Sequence, residues 1–163
     1  MIDTGNHRIQ VFDPQGRFLR KWGTYGERDG QFDVPAGLAI DGDGNVYVTD
    51  LGNQQIQVFD FQGRFLRKWG SEGEGDGQFN RPIGLATDGA GNVYVVDRYN
   101  HRIQVFDPRG EFLLKWGWEG CGDGQFDLPC GIALDSEPRV YVADTNNNRI
   151  QVFKRVSSND TVY

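Results

Sequence analysis

Little in this 163-residue chain offers itself as chemical machinery: it has two cysteines, two histidines and one methionine. Two cysteines do not make a disulfide framework. Hydroxyl side chains are sparse, and no nucleophile elbow or nucleophile–base pair is visible. No apolar run approaches the roughly 18 residues that a membrane-spanning helix needs, and the first residues lack the apolar core of a signal peptide. A cationic excess is missing too. Lys and Arg number 17 against 23 Asp and Glu, a net charge of −6, which argues against broad attraction to nucleic acid or anionic membranes. The compartment stays open, with the cytoplasm favoured.

What the chain does have is repetition. NHRIQVFD at 6–13 returns letter for letter at 100–107, NQQIQVFD stands at 53–60 and NNRIQVF at 147–153. The leading residues Asn6, Asn53, Asn100 and Asn147 are each 47 positions apart. A fixed period in this range marks a repeat architecture. Residues 6–52 and 53–99 agree at about 33 of 47 positions, and the whole length corresponds to about 3.5 units. Met1-Ile2-Asp3 aligns with Val48-Thr49-Asp50, so the chain opens at the tail of a strand.

One unit reads as GLAID (37–41), the turn DGDGN, NVYVTD (45–50), the loop LGNQ, QIQVFD (55–60), the turn FQG, and RFLRKWG (64–70). Each run is rich in β-branched and aromatic residues and is bounded by Gly, Asn or Asp. Four strands and no helix are expected. Connections this short require an antiparallel meander. A lone sheet would leave apolar residues bare on both faces, since Ile56 and Val58 alternate with Gln57 and Phe59. Radial stacking of sheets as the blades of a β-propeller covers both faces. Phe32, Phe79 and Phe126 in the interblade loops, with Trp22, Trp69 and Trp116 on the fourth strands, are then expected as wedges between blades.

The run DGQFNRPIGLATDGAGNVYVVDRYNHRIQVFD (76–107) resembles the NHL repeat, whose elements G-D-G-Q-F, P-x-G, D-x-x-G-N-V-Y-V and N-x-R-I-Q-V-F it carries in order. The resemblance implies a six-bladed propeller, of which this chain holds about half. A partial propeller is expected over 1–153, with units 6–52, 53–99, 100–146 and a partial unit 147–153, followed by a divergent tail, 154–163. Two readings of the incomplete ring stay open: two copies closing six blades as a homodimer, or a fragment of a longer protein.

The repeated polar residues are expected to be structural pins. Asp50, Asp97 and Asp144 close the second strands, and Asp3 matches them. Asn53, Asn100 and Asn147 follow, with Arg102 and Arg149 two residues further and Gln55 in that place in the odd unit. A carboxylate, an amide and a guanidinium once per blade suit a hydrogen-bonded clamp. DGDGN spells the start of a calcium loop but lacks its closing Glu, and a hairpin turn is expected. His7 and His101 give way to Gln54 and Asn148 in the other copies, and no repeated carboxylate or cysteine adds metal-ligand spacing. Cys121 and Cys130 align with Glu74 and Ile83 and read as free thiols. The cations of the fourth strands, Arg17, Arg20, Lys21, Arg64, Arg67, Lys68 and Lys115, read as edge protection.

Variation between copies points to a function. The loop after the fourth strand and the loop between second and third strands differ from copy to copy, and a meander brings both to one end of every blade. The candidate binding residues are Tyr25, Arg28, Glu72, Arg98, Tyr99, His101, Trp118 and Asn146. A non-catalytic binding or scaffold module for a protein or peptide is expected, with no cofactor, no metal and no membrane partner. The resemblance also admits a lactonase- or lyase-type propeller enzyme with a metal in its channel. It admits RNA binding as well, a property of some NHL domains of animal tripartite-motif proteins, which the acidic charge disfavours.

Overall fold

A computed structural model describes residues 1–137 and 139–154. Its regular elements are strands, with two single-turn 3-10 segments at Thr4–Asn6 and Arg98–Asn100. The strands form four separate antiparallel sheets. The first contains β1 (Ile2–Asp3), β2 (Arg8–Phe12) and β3 (Phe18–Trp22), and the second β4 (Pro35–Ile40), β5 (Val46–Asp50), β6 (Gln55–Phe59) and β7 (Phe65–Trp69). The third contains β8 (Pro82–Thr87), β9 (Val93–Asp97), β10 (Arg102–Phe106) and β11 (Phe112–Trp116), and the fourth β12 (Gly131–Leu134), β13 (Arg139–Asp144) and β14 (Arg149–Lys154). Strands adjacent in sequence are adjacent in each sheet, as such short connections demand. The expected meander is therefore present. β14 runs one residue into the segment read as a tail, and the remainder of that segment lies outside the described residues.

Local chemistry explains the turns. Asp41 opens DGDGN, and its Oδ1 accepts the amides of Asp43 and Asn45 at 3.0 and 2.9 Å. Its other oxygen takes the Asn45 amide group and the Tyr47 hydroxyl at 2.9 and 3.0 Å. This carboxylate builds the hairpin joining β4 to β5.

The core lies between sheets rather than within any one of them. Ile9, Phe32, Val48 and Phe59 join the first sheet to the second. Tyr47, Ile56, Val58, Phe79, Leu85 and Phe106 join the second to the third. Val96, Ile103, Val105, Phe126, Val140 and Val142 join the third to the fourth. At each boundary a fourth-strand tryptophan and a loop phenylalanine meet a third-strand phenylalanine of the next sheet. Trp69 and Phe79 lie 5.6 and 5.7 Å from Phe106, and Trp22 and Phe32 lie 5.7 and 5.6 Å from Phe59. Trp116 and Phe126 repeat this against Phe153 at 5.6 and 5.7 Å. Tilted aromatic packing at such spacing adds to area burial. The tryptophans and loop phenylalanines are wedges, as expected. Gly110, at φ +92, closes the turn beneath Trp69, where a Cβ would come within 2.7 Å of the indole. Side-chain hydrogen bonds stitch the inner strands as well: the Thr49 hydroxyl donates to Ile83 O at 2.7 Å, and Thr87 to Ile40 O at 3.1 Å.

Phe106 is fully buried at the centre of one aromatic group, whereas Leu113 is half exposed. Phe106→Ala is expected to lower the free energy of unfolding by about 3–5 kcal/mol, and Leu113→Ala by less than about 1 kcal/mol, read from urea denaturation.

Candidate binding face and its frame

The loops joining second to third strands and those joining successive sheets emerge at the same end, because hydrogen bonds tie one set to the other. In the third sheet the Asp97 carboxylate is the centre. It accepts the Asn80 backbone amide at 2.8 Å, Asn100 Nδ2 at 2.9 Å, Arg102 Nε at 2.7 Å and Gln104 Nε2 at 3.1 Å. The same donors then reach the incoming loop. Asn100 donates to Gly73 O at 2.9 Å, Arg102 to the carbonyls of Glu74, Gly75 and Gln78 at 2.6, 2.8 and 3.0 Å, and Gln104 to Gln78 O at 2.7 Å. Asp144 repeats the centre with Asp127 N, Asn147, Arg149 and Gln151, and Asp50 with Asp33 N, Asn53, Gln55 and Gln57. Asp50, Asp97 and Asp144 are all fully buried. The pins expected from the sequence thus bind one another and clamp the interblade loop. The glutamines at 10, 57, 104 and 151 belong to the clamp as well and were not singled out, although they recur at the same 47-residue spacing.

Protonation of these carboxyls follows their neighbours. Burial pushes the Asp97 carboxyl above its ordinary value of 3.8, against the pull of the Asn80 amide, Asn100 and Arg102. Burial also raises Asp50, whose neighbours Asn53, Gln55 and Gln57 are all neutral donors. At Asp144 burial acts in the same direction, but the Asp127 amide, Arg149 and Asn147 outweigh it, and its pKa is lowered.

A second device fixes where the loop enters the inner strand. Val34, Arg81 and Leu128 precede prolines and adopt positive φ of 58°, 56° and 46°, a region that costs a non-glycine residue about 1–2 kcal/mol. Their backbone amides are held from the preceding sheet. Arg81 N donates to Gln54 Oε1 at 2.6 Å, Val34 N to His7 Nδ1 at 3.4 Å and Leu128 N to His101 Nδ1 at 3.3 Å. The two histidines are half-buried, and their Nδ1 atoms stand where Gln54 Oε1 stands in the odd unit; His101 Nδ1 also lies 3.1 Å from Phe126 O. The positive φ of these amides, invisible in sequence, is what makes an acceptor useful there.

The candidate residues divide by what they touch. Tyr25 and Trp118 are 68% and 60% exposed, and Arg28 and Glu72 are exposed as well. The Tyr25 ring stands edge-on to His7 at 5.0 Å. The Tyr99 ring lies under two guanidinium groups, Arg81 at 5.3 Å and Arg98 at 5.8 Å. Asn146 donates to Asp127 Oδ1 at 3.3 Å and, through its backbone, to Asp127 O at 3.1 Å. A shallow groove of about 350 Å³ opens on this face, lined by Glu27, Gly52, Asn53, Gln54, Gln55 and Glu72.

The fourth-strand cations are largely engaged elsewhere. Arg17 and Arg64 pair with Asp13 and Asp60 across their turns, both at 2.6 Å. Arg20 and Arg67 donate to the Phe61 and Pro108 carbonyls of the next sheet. Lys68 pairs with Asp29 at 3.0 Å and Lys115 with Asp76 at 2.6 Å. Cys121 and Cys130 are not bridged, and Cys130 Sγ accepts the Thr145 hydroxyl at 2.9 Å. Among the described residues no three His, Cys, Asp or Glu side chains gather as metal ligands, and no helix is long and apolar enough to cross a membrane.

Antiparallel sheets of three or four strands joined through their faces and clamped by a repeated carboxylate define a β-propeller repeat protein. The profile of the NHL repeat matches residues 32–59, 79–106 and 126–153, just over half of the chain, which therefore belongs to the NHL-repeat family. The RING finger protein nhl-1 of Caenorhabditis elegans is 54% identical over 37 residues, 23% of this chain and 4% of that protein. Protein brain tumor of Drosophila melanogaster is 43% identical over 51 residues, 31% of this chain and 5% of that protein. The chain thus matches a small part of each relative. Among solved structures, hydrazine synthase of Kuenenia stuttgartiensis superposes with a TM-score of 0.68 at 15% identity, over 93% of this chain and 41% of that one. Virginiamycin B lyase of Staphylococcus aureus gives 0.64 at 15% identity, over 93% of this chain and 50% of that one. A gluconolactonase of Xanthomonas campestris gives 0.59 at 19% identity, over 87% and 43%. At such identity the likeness concerns the fold alone.

The frame makes two expectations measurable. Arg102→Gln leaves the buried Asp97 charge without its cation and should cost about 3 kcal/mol near neutral pH. A carboxyl raised on folding opposes the folded state above its pKa, and protonation relieves it. Loss of Arg102 raises Asp97 further, so the deficit should narrow as pH falls toward 3.8, followed by thermal unfolding across pH. The converse change, Gln55→Arg, gives Asp50 the cation its counterparts have and should raise stability by about 1–2 kcal/mol at neutral pH.

Proposed function

We propose that this chain is a non-catalytic binding module whose variable loop face engages a protein or peptide. One observation carries the reading: the clamp residues that recur at the 47-residue spacing, Asp50, Asp97 and Asp144 with Gln57 and Gln104, are buried and bonded to their neighbours, while exposed aromatic and charged residues at the loop end differ from copy to copy. Exposed Tyr and Trp on a rigid frame are the side chains from which binding hot spots are made. The groove between Glu27 and Glu72 adds two carboxylates that take part in no ion pair among the described residues. Such a rim favours a ligand bearing lysine or arginine.

Internal use of the fourth-strand cations weighs against RNA, whose phosphates need cations that are free to turn outward. The near-identity of the strand positions weighs against an enzyme of lactonase or lyase type, which needs residues that break the repeat.

Panning a random peptide library displayed on phage against the immobilised chain tests the proposal. Enriched peptides should carry basic residues, and Tyr99→Ala with Trp118→Ala should weaken them about tenfold or more. Gln62→Ala, in a turn at the opposite end, should leave binding unchanged. Peptides indifferent to the loop-face substitutions, or tight single-stranded RNA binding that falls steeply with salt, would refute it.

A further inference from the structure

The second sheet departs from the clamp of its neighbours at one position, and the departure leaves acceptors open. In the third sheet Arg102 Nε donates to Asp97 at 2.7 Å, while the far end of its guanidinium donates to the carbonyls of Glu74, Gly75 and Gln78 at 2.6, 2.8 and 3.0 Å. In the fourth sheet Arg149 reaches Asp144 and the carbonyls of Gly122 and Gln125 in the same way, at 2.8, 2.5 and 3.1 Å. The second sheet has Gln55 at this place. Its Nε2 does the work of the arginine Nε, 3.1 Å from Asp50 Oδ2, but the side chain ends there.

The carbonyls that a guanidinium would fill therefore lack a donor. One period before Glu74 and Gly75 stand Glu27 and Arg28. Among the described residues Glu27 O has only the Lys68 ammonium, at 3.5 Å. Arg28 O has the Gln31 amide at 2.9 Å, a turn bond that Gly75 also makes, with Gln78, alongside its guanidinium. Gln55 contributes a third acceptor. A carboxylate can only accept, so the Gln55 amide nitrogen faces Asp50 and the oxygen faces away. That oxygen takes no hydrogen bond among the described residues, although Gln55 is only 7% exposed. The groove of the loop face opens at this spot, lined by Gln55 together with Glu27 and Glu72. Asp50 stands behind Gln55, fully buried and held by neutral donors alone.

We infer that this groove receives an arginine side chain of a bound peptide, whose guanidinium fills the place that Arg102 and Arg149 fill from within their own sheets. Its N–H groups donate to Glu27 O, Arg28 O and Gln55 Oε1, and its charge is met by the carboxylates of Glu27 and Glu72. A planar fork serves several fixed acceptors at once, whereas the compact ammonium of lysine reaches fewer of them. Such recognition rests on the reading of this face as a peptide-binding surface, and it adds the side chain recognised and the place that recognises it.

Titration of Nα-acetyl-arginine methylamide into the full chain labelled with nitrogen-15 tests this through the amide spectrum. Saturable shifts should fall on Glu27, Arg28 and Gln55, with a dissociation constant on the order of millimolar. The citrulline analogue, which keeps the shape without the charge, should produce none, and the lysine analogue should bind about fivefold more weakly or worse. Gln55→Arg supplies the missing guanidinium from within and should weaken binding about tenfold or more without lowering the thermal midpoint. Glu27→Gln combined with Glu72→Gln, both at exposed positions, should weaken it about threefold. No saturable shift, shifts confined to other residues, or equal binding of the lysine analogue would each overturn the inference, and so would undiminished binding by Gln55→Arg. Peptides selected on the chain keep the two conclusions apart. Peptides that need Tyr99 and Trp118 yet bind Gln55→Arg unchanged would sustain peptide binding and overturn the arginine site, whereas saturable arginine binding with no peptide enriched would do the reverse.

Discussion

One buried carboxylate per sheet organises everything around it. A charge with no water access is tolerable only when its lone pairs are filled, and Asp50, Asp97 and Asp144 each fill theirs with four donors drawn from three places. Two donors lie on the adjoining third strand, one in the loop before it, and one in the backbone of the segment arriving from the previous sheet. Satisfying the charge therefore fixes strand register, loop shape and the arrival of the next unit together. Because Asn100, Arg102 and Gln104 also hold carbonyls of that segment, no member of the clamp can leave without stranding another.

The apolar contacts obey the same boundary. Each core cluster belongs to two sheets, so an isolated repeat has a half-satisfied clamp and a half-covered face. Stability in such a chain accumulates by interfaces rather than by units. The aromatic wedges and the carboxylate clamps stand at the same seams, which couples polar and apolar satisfaction and gives each interface an all-or-none character. It also explains why the first and last sheets resemble the inner ones in backbone while exposing side chains that the inner ones bury.

Much of this was legible in the sequence because a repeat reports its own structure. The 47-residue period marked the repeating unit, the alternation in QIQVF oriented the third strand, and Asp97, Asn100 and Arg102 declared a clamp by returning in order. Gln57 escaped because a polar residue alternating with valine and isoleucine reads as solvent-facing, whereas here that face receives the interblade loop. His101 escaped for a different reason: its Nδ1 meets the Phe126 carbonyl and the Leu128 amide, and Leu128 is held at a positive φ that no propensity announces in a leucine before proline. Loop positions 25, 72, 99 and 118 were legible as variable, but variability carries no information about an occupant.

Variation in a repeat protein is thus an incomplete signal of function, and positions 7, 54, 101 and 148 show why. Histidine, glutamine and asparagine alternate there, yet the first three copies place the side chain against the same backbone amide of the next loop. Such a position varies because several side chains satisfy a single geometric demand. Tyr99 and Trp118 vary in another way: tyrosine replaces glycine at 52, tryptophan replaces threonine and serine at 24 and 71, and both rings stay exposed. Variation that changes size and chemistry while remaining outside the clamp alters what the face presents without altering the frame. By that criterion Tyr25, Arg28, Glu72, Tyr99 and Trp118 are the exposed residues of the proposed recognition surface, whereas His101 and Asn146 are tied to the neighbouring loop.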